Sequence, residues 1–166
     1  MKIDVSDVFE NPGEVFESEQ DGAFESLVFQ EERYDFDGGA HISVRYFADK
    51  EGITVTGTFE TQTKVSCARC LKEFMYPVKF DFTEYYKESP EESQYAYKGD
   101  TIELDEMLTD NFIINLPVRF LCDEQCKGLC QRCGKDLNEG SCGCAELPDE
   151  SNPFYGLKGF TDDEEV

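Results

Sequence analysis

The chain has 166 residues, and its 15 Lys plus Arg against 37 Asp plus Glu leave a formal net charge of −22. That length favours one domain with its own hydrophobic core, or one domain and a small satellite. A field this negative repels phosphate backbones and excludes tight binding to bare nucleic acid without a segregated basic face, so a basic protein is the easier partner.

The first residues, MKIDVSDVFENPGEVF, lack a basic start followed by an apolar run and a small-residue cleavage site. No stretch of about 18 apolar residues follows, so the expectation is a soluble, cytoplasmic protein with no membrane partner. Residues 1–40 alternate short apolar pieces with acidic and glycine-containing stretches and read as an irregular or edge-strand opening. From His41 the pattern is that of strands. HISVRYFA, GITVTGTFETQTKVSC and EFMYPVKFDFTEYY are rich in Val, Ile, Thr, Phe and Tyr with much alternation, predicting three antiparallel strands.

Residues 88–100, ESPEESQYAYKGD, read as a polar loop. In TIELDEMLTDNFIINLP, Leu104, Met107, Leu108, Phe112 and Leu116 recur at helical spacing until Pro117, with Asp105 near the start. This predicts one main amphipathic helix packed on the sheet, an α+β arrangement. The predicted organisation is a main domain over 1–121, a cysteine-rich zinc module over 122–147 docked on the CARC hairpin, and an acidic, largely flexible tail over 148–166.

The eight cysteines fall into pairs: Cys67 and Cys70, Cys122 and Cys126, Cys130 and Cys133, Cys142 and Cys144. A reducing cytosol disfavours disulfides for such a cluster, and four pairs of soft ligands fit two tetrahedral structural zinc ions. An iron–sulfur cluster and redox-active thiols are the alternatives. CARC lies between two predicted strands, where a hairpin tip makes a knuckle. CQRCG makes another, with Gly134 free to take a positive φ. Local chain closure favours Cys130, Cys133, Cys142 and Cys144 as one site. The other four form the second, which would clamp the cysteine segment to the hairpin. The lone histidine, His41, is far from them and reads as a surface or sheet residue.

Lys64, Arg69, Lys72, Arg119, Lys127, Arg132 and Lys135 cluster around these cysteines, with only Asp123 and Glu124 opposing them. Eight metal-bound thiolates bring that local charge back to about +1, so the basic groups read first as thiolate-stabilising donors. Lys64, Arg69, Lys72, Lys127, Arg132 and Lys135 remain the candidate contacts to RNA or a partner. No Gly-rich phosphate loop, no nucleophile elbow and no acid–base pair stands out, so no catalytic residue or small-molecule substrate is expected.

The pieces VSCARCLKEF, IINLP, CKGLCQRCGKDLN, CGC and NPFYGL occur in the order seen in the YceD family, the large ribosomal RNA subunit accumulation proteins, which residues 53–157 resemble. The resemblance implies a role in production, processing or stability of 23S rRNA and in large-subunit assembly. Family members vary in how many of the later cysteines they keep, which implies structural reinforcement by those residues. Asp110 and Asn111 depart from the glutamate–glutamine type of pair expected there. With a charge of −22, an adaptor or chaperone for a basic ribosomal protein or an rRNA-processing factor is the leading expectation, with rRNA touched indirectly. Direct RNA contact through the two knuckles, and a thiol redox role, are the rivals.

Overall fold

A computed structural model describes residues 1–36, 38–89 and 94–144. In chain order it contains β1 (Lys2–Asp4), α1 (Ser6–Glu10), β2 (Phe16–Gly22), β3 (Leu27–Phe29), β4 (Glu32–Tyr34), β5 (Ala40–Ala48), β6 (Ile53–Ser66), β7 (Glu73–Lys87), β8 (Tyr95–Ala96), β9 (Thr101–Glu103) and α2 (Asp105–Asn115). The main sheet runs in the order β2-β5-β6-β7-β8.

Alternation in the sequence decides which face of that sheet is inside. Ile42, Val44 and Tyr46 of β5, Ile53, Val55 and Phe59 of β6, and Val78, Phe80 and Phe82 of β7 are buried on one face. The opposite face carries cross-strand pairs such as Lys79–Glu60 at 2.6 Å, Lys64–Glu73 at 2.6 Å and Arg45–Glu17 at 3.1 Å. One face therefore packs and the other meets water, as antiparallel sheets allow. Gly57 stands where three strands crowd. A Cβ there would lie 2.4 Å from the Ser43 carbonyl oxygen and 2.9 Å from the Phe82 ring.

Pro77 is tolerated inside the long β7 because it faces Gln62 on one side, while on the other side β8 pairs only with Tyr86 and Lys87. The three predicted strands are β5, β6 and β7, and they are antiparallel. The predicted edge strand is β2, paired antiparallel with β5. The opening also holds β1, which pairs with β9, the β3–β4 hairpin and the five-residue α1. The predicted loop contains β8, which runs parallel to the end of β7.

The predicted helix is α2, and Leu104, Met107, Leu108 and Phe112 are fully buried on its sheet-facing side. Leu116 leaves the helix at φ −66° and ψ 135° because the following Pro117 excludes helical backbone before it. Phe112 meets Tyr34 and Phe36 edge-on at 5.6 and 5.0 Å, which ties the helix to the first forty residues. The architecture is α+β, with a cysteine-rich segment after the helix. The predicted tail over 148–166, the NPFYGL stretch, residues 145–147 of the cysteine-rich segment and residues 90–93 of the predicted loop lie outside the described residues. Among the described residues no helix is long and apolar enough to cross a membrane.

Candidate metal centres

The β6–β7 hairpin ends in the knuckle 67–72. Cys67 N–H donates to the Lys72 carbonyl at 2.9 Å, and Leu71 N–H donates to the Cys67 carbonyl at 2.9 Å. The knuckle 130–135 repeats this scheme. Cys130 N–H donates to the Lys135 carbonyl at 2.8 Å, and Gly134 N–H to the Cys130 carbonyl at 2.9 Å. The turn requires left-handed backbone at its fifth position, supplied by Gly134 at φ 72° and, against steric preference, by the exposed Leu71 at φ 61°.

Backbone bonds then seat the cysteine-rich segment on the hairpin. Ala68 N–H donates to the Phe120 carbonyl at 2.8 Å and Leu129 N–H to the Arg69 carbonyl at 3.1 Å. Gly128, at φ +74°, lets the chain pass there, since a Cβ would sit 3.0 Å from the Arg69 carbonyl oxygen. Cys126 is thereby carried to Cys67, Sγ to Sγ 3.8 Å, and Cys122 to Cys70 at 3.6 Å.

All eight cysteines are free thiols. They form two sets, Cys67, Cys70, Cys122, Cys126 and Cys130, Cys133, Cys142, Cys144, and within each the sulfur atoms lie within 4.8 Å of one another. These are the sets that local chain closure favours. A tetrahedral ion with metal–sulfur bonds of ~2.3 Å holds its ligands ~3.8 Å apart, so both sets suit a four-thiolate metal ion. In the first set Cys67, Cys70 and Cys126 are buried, whereas Cys133 and Cys144 of the second are exposed.

The thiols are electrostatically unequal. Burial pushes Cys67 up, but the N–H groups of Cys122, Cys70 and Arg69 outweigh it and bring the thiol down to about 6. Burial and then the neighbouring Cys67, Cys70 and Cys126 thiols push Cys122 up to about 12. In the second set the N–H groups of Cys133 and Arg132 lower Cys130 to about 6, and Cys133 and Cys142 raise Cys144 to about 12. Four crowded sulfurs cannot all ionise together on their own. A divalent ion, if held by either set, would replace the protons that the set otherwise keeps.

The predicted basic residues divide. Arg69 donates its Nη1 to the carbonyls of Glu124 at 3.0 Å and Cys126 at 2.8 Å, so it braces the first set. Lys64 pairs with Glu73, and Lys135 donates Nζ to the Ser141 carbonyl at 2.9 Å. Lys72, Lys127 and Arg132, with Arg119, are exposed and have no ion-pair partner among the described residues. His41 lies on β5 and pairs with Asp21 at 2.8 Å, away from both sets.

One contributor escaped the sequence reading. Asn138 accepts the Lys127 N–H on Oδ1 at 2.8 Å and donates Nδ2 to Asp136 at 2.7 Å and to the Cys126 sulfur at 3.4 Å. The signal available was only its place at the end of KDLN, behind the second knuckle.

Fold and site together define a small α+β protein whose cysteine-rich segment shares one four-cysteine set with the sheet hairpin and carries a second by itself, and both could hold metal. Residues 55–161 match the family described as large ribosomal RNA subunit accumulation protein YceD. The chain belongs to the YceD family. Uncharacterized proteins of Mycobacterium tuberculosis and Mycobacterium bovis are each 31% identical over 147 residues, spanning 82% of this chain and 70% of theirs. A chloroplastic protein of Arabidopsis thaliana, named large ribosomal RNA subunit accumulation protein YCED homolog 1, is 31% identical over 58 residues, 35% of this chain and 17% of its own. No solved structure matches.

Proposed function

We propose that this protein serves accumulation of the large ribosomal RNA subunit as a non-enzymatic, cytoplasmic adaptor. Its acidic surface engages a basic ribosomal protein or rRNA-processing factor, and rRNA is reached through that partner. The family's description supports the process, and the net charge of −22 is the observation that favours a basic protein over bare RNA. The cysteine sets hold two structural zinc ions in this reading. Four-thiolate donor sets without an open position suit structure and leave no place for a substrate.

A pull-down from cell lysate at low and high salt tests the adaptor role. A basic ribosomal protein or processing factor is expected at low salt and is lost at high salt, because screening weakens the attraction. Capture of rRNA that survives protease treatment of the bound fraction, with no basic protein present, sinks the adaptor. Direct RNA contact would then draw on Lys72, Arg119, Lys127 and Arg132, exposed cations with no ion-pair partner among the described residues, and reversing their charge would abolish the capture. Metal analysis of protein purified without oxygen should find two zinc ions per chain. Metal-free protein with a reversible disulfide would instead favour a thiol redox role.

A further inference from the structure

The two cysteine sets share a donor chemistry and differ in access. In the first, Cys67, Cys70 and Cys126 are 0%, 7% and 4% exposed, with Phe74, Leu121 and Leu129 packed beside them. Cys122 is its exposed member, and the sulfur 3.6 Å from it is that of the buried Cys70. In the second set Cys133 and Cys144 are both exposed, and their sulfurs lie within 4.8 Å of each other. Cys130 and Cys142 are half-buried, Sγ to Sγ 3.3 Å. The second set is thus two thiol pairs, each within reach of closing on itself, and one of them is open to solvent.

The sets also differ in what holds them together. The halves of the first are joined without their sulfurs, by Ala68 N–H to the Phe120 carbonyl and Leu129 N–H to the Arg69 carbonyl. The second is confined to residues 130–144, none of which is buried. Its knuckle is closed by Cys130 N–H to the Lys135 carbonyl and Gly134 N–H to the Cys130 carbonyl, and Lys135 Nζ reaches the Ser141 carbonyl. With no apolar support, the shape of this stretch depends on what its sulfurs are bonded to. Accessible thiolates with a second thiol beside them are also the ones that react with peroxide and resolve to a disulfide.

We propose that the second set is a peroxide-responsive release switch, a reading that rests on the metal assignment above: oxidation joins Cys133 to Cys144 and frees the ion of that set, while the first set keeps its own. The thiolate of one exposed cysteine attacks an oxygen of hydrogen peroxide, which breaks the O–O bond, leaves a sulfenic acid and expels hydroxide. The other thiolate attacks that sulfur, forms the S–S bond and expels the second oxygen as hydroxide. Two protons from solvent convert both hydroxides to water. The sulfur pair loses two electrons and the peroxide gains them. Four ligands become two, too few to retain the ion. Cys130 and Cys142 are then free thiols 3.3 Å apart, the pair that a second peroxide joins. A dithiol reductant reverses both steps by exchange.

The full chain, purified without oxygen and loaded with zinc, is treated with hydrogen peroxide beside a zinc indicator that leaves both sets loaded before the oxidant is added. Release of one of two ions is expected. Alkylation and mass spectrometry at that point should find Cys133 bonded to Cys144, with Cys67, Cys70, Cys122 and Cys126 still free to alkylate. Dithiothreitol and fresh zinc should restore the starting protein. Cys144→His keeps four ligands, three thiolates and an imidazole, but removes the exposed pair, so it should hold its ion and release it several-fold more slowly. If that variant does not hold zinc, the order of oxidation in wild type decides alone. Release of both ions together, a first disulfide among the cysteines of the first set, or release from Cys144→His as fast as from wild type overturns the proposal.

The switch and the metal assignment fail differently. A chain that carries no zinc when purified without oxygen sinks the assignment and the switch with it. A chain that carries two ions and gives up neither to peroxide, or both at once, sinks the switch and leaves the assignment standing.

Discussion

Leu71 carries a conflict between its own preference and the turn it occupies. The second knuckle places Gly134 at this position with nearly the same φ, so the backbone demand is common to both and only the side chain differs. Left-handed backbone costs a branched residue about 1–2 kcal/mol, and Leu71 is 67% exposed, so packing returns little. Replacing it by glycine relieves that cost but adds freedom to the unfolded chain, worth roughly 0.5–1 kcal/mol in the other direction. Leu71→Gly is therefore expected to stabilise the metal-loaded protein by about 0.5–1 kcal/mol, measured by urea denaturation. Asn138 is the opposite case, a residue whose three side-chain bonds serve one purpose. Because it orients Lys127 and touches the Cys126 sulfur, Asn138→Ala should lower metal affinity at the first set about 10–100-fold and spare the second, read by competition with a chromophoric chelator. Equal loss at both sets would contradict that assignment. The cysteines were legible in the sequence because ligand spacing is a local code. Asn138 was not, since its bond to the Cys126 sulfur depends on a chain crossing that spacing does not record, and the strain at Leu71 shows only when the first knuckle's backbone is laid beside that of Gly134.

At the level of elements, legibility followed length. The strands β5, β6 and β7 are nine to fifteen residues long, and their alternation sorts the inner from the outer face without help from the rest of the chain. The three-residue strands β1, β3, β4 and β9 are too short to show a period. β1 exists because Ile3 finds Ile102 across the chain, a partner no local pattern points to. Edge strand β2 lies between these extremes, and the chain's only histidine reports on it. Asp21 faces His41 in the β2–β5 register, and their hydrogen bond raises the imidazole above its ordinary value of about 6.5. A raised folded value means that the pair favours the folded edge below about 6.5 and that this support disappears as the pH rises through the folded value. Proton NMR should therefore find one histidine titrating above 6.5, and Asp21→Asn should return it toward the ordinary value. An unshifted His41 in the wild-type chain would place β2 out of this register.

For the whole molecule, two different forces hold two regions. The main apolar cluster gathers buried residues from Ile3 to Phe112, whereas the cysteine region contributes only Cys67, Cys70 and Cys126, with Phe74, Leu121 and Leu129 beside them. A segment with so little apolar burial does not offset the entropy of ordering its backbone by that burial alone, and metal held at the two cysteine sets, as proposed above, would supply the difference. Chelation is thus expected to unfold the molecule in stages. The second set, with Cys133 and Cys144 exposed, gives up its ion first, and the first set, three of whose thiols are buried, gives up its ion later. Hydrogen exchange should show the amides of Cys130 and Gly134, which close the second knuckle, losing protection before those of Cys67 and Ala68, with β5 and β6 protected throughout. Acid should reproduce the order, since protons compete with metal for every thiolate and the exposed ligands dissociate most readily. A single cooperative loss of sheet and cysteine segment together would mean that the hairpin contacts, and not the ions, carry the stability of this end of the protein.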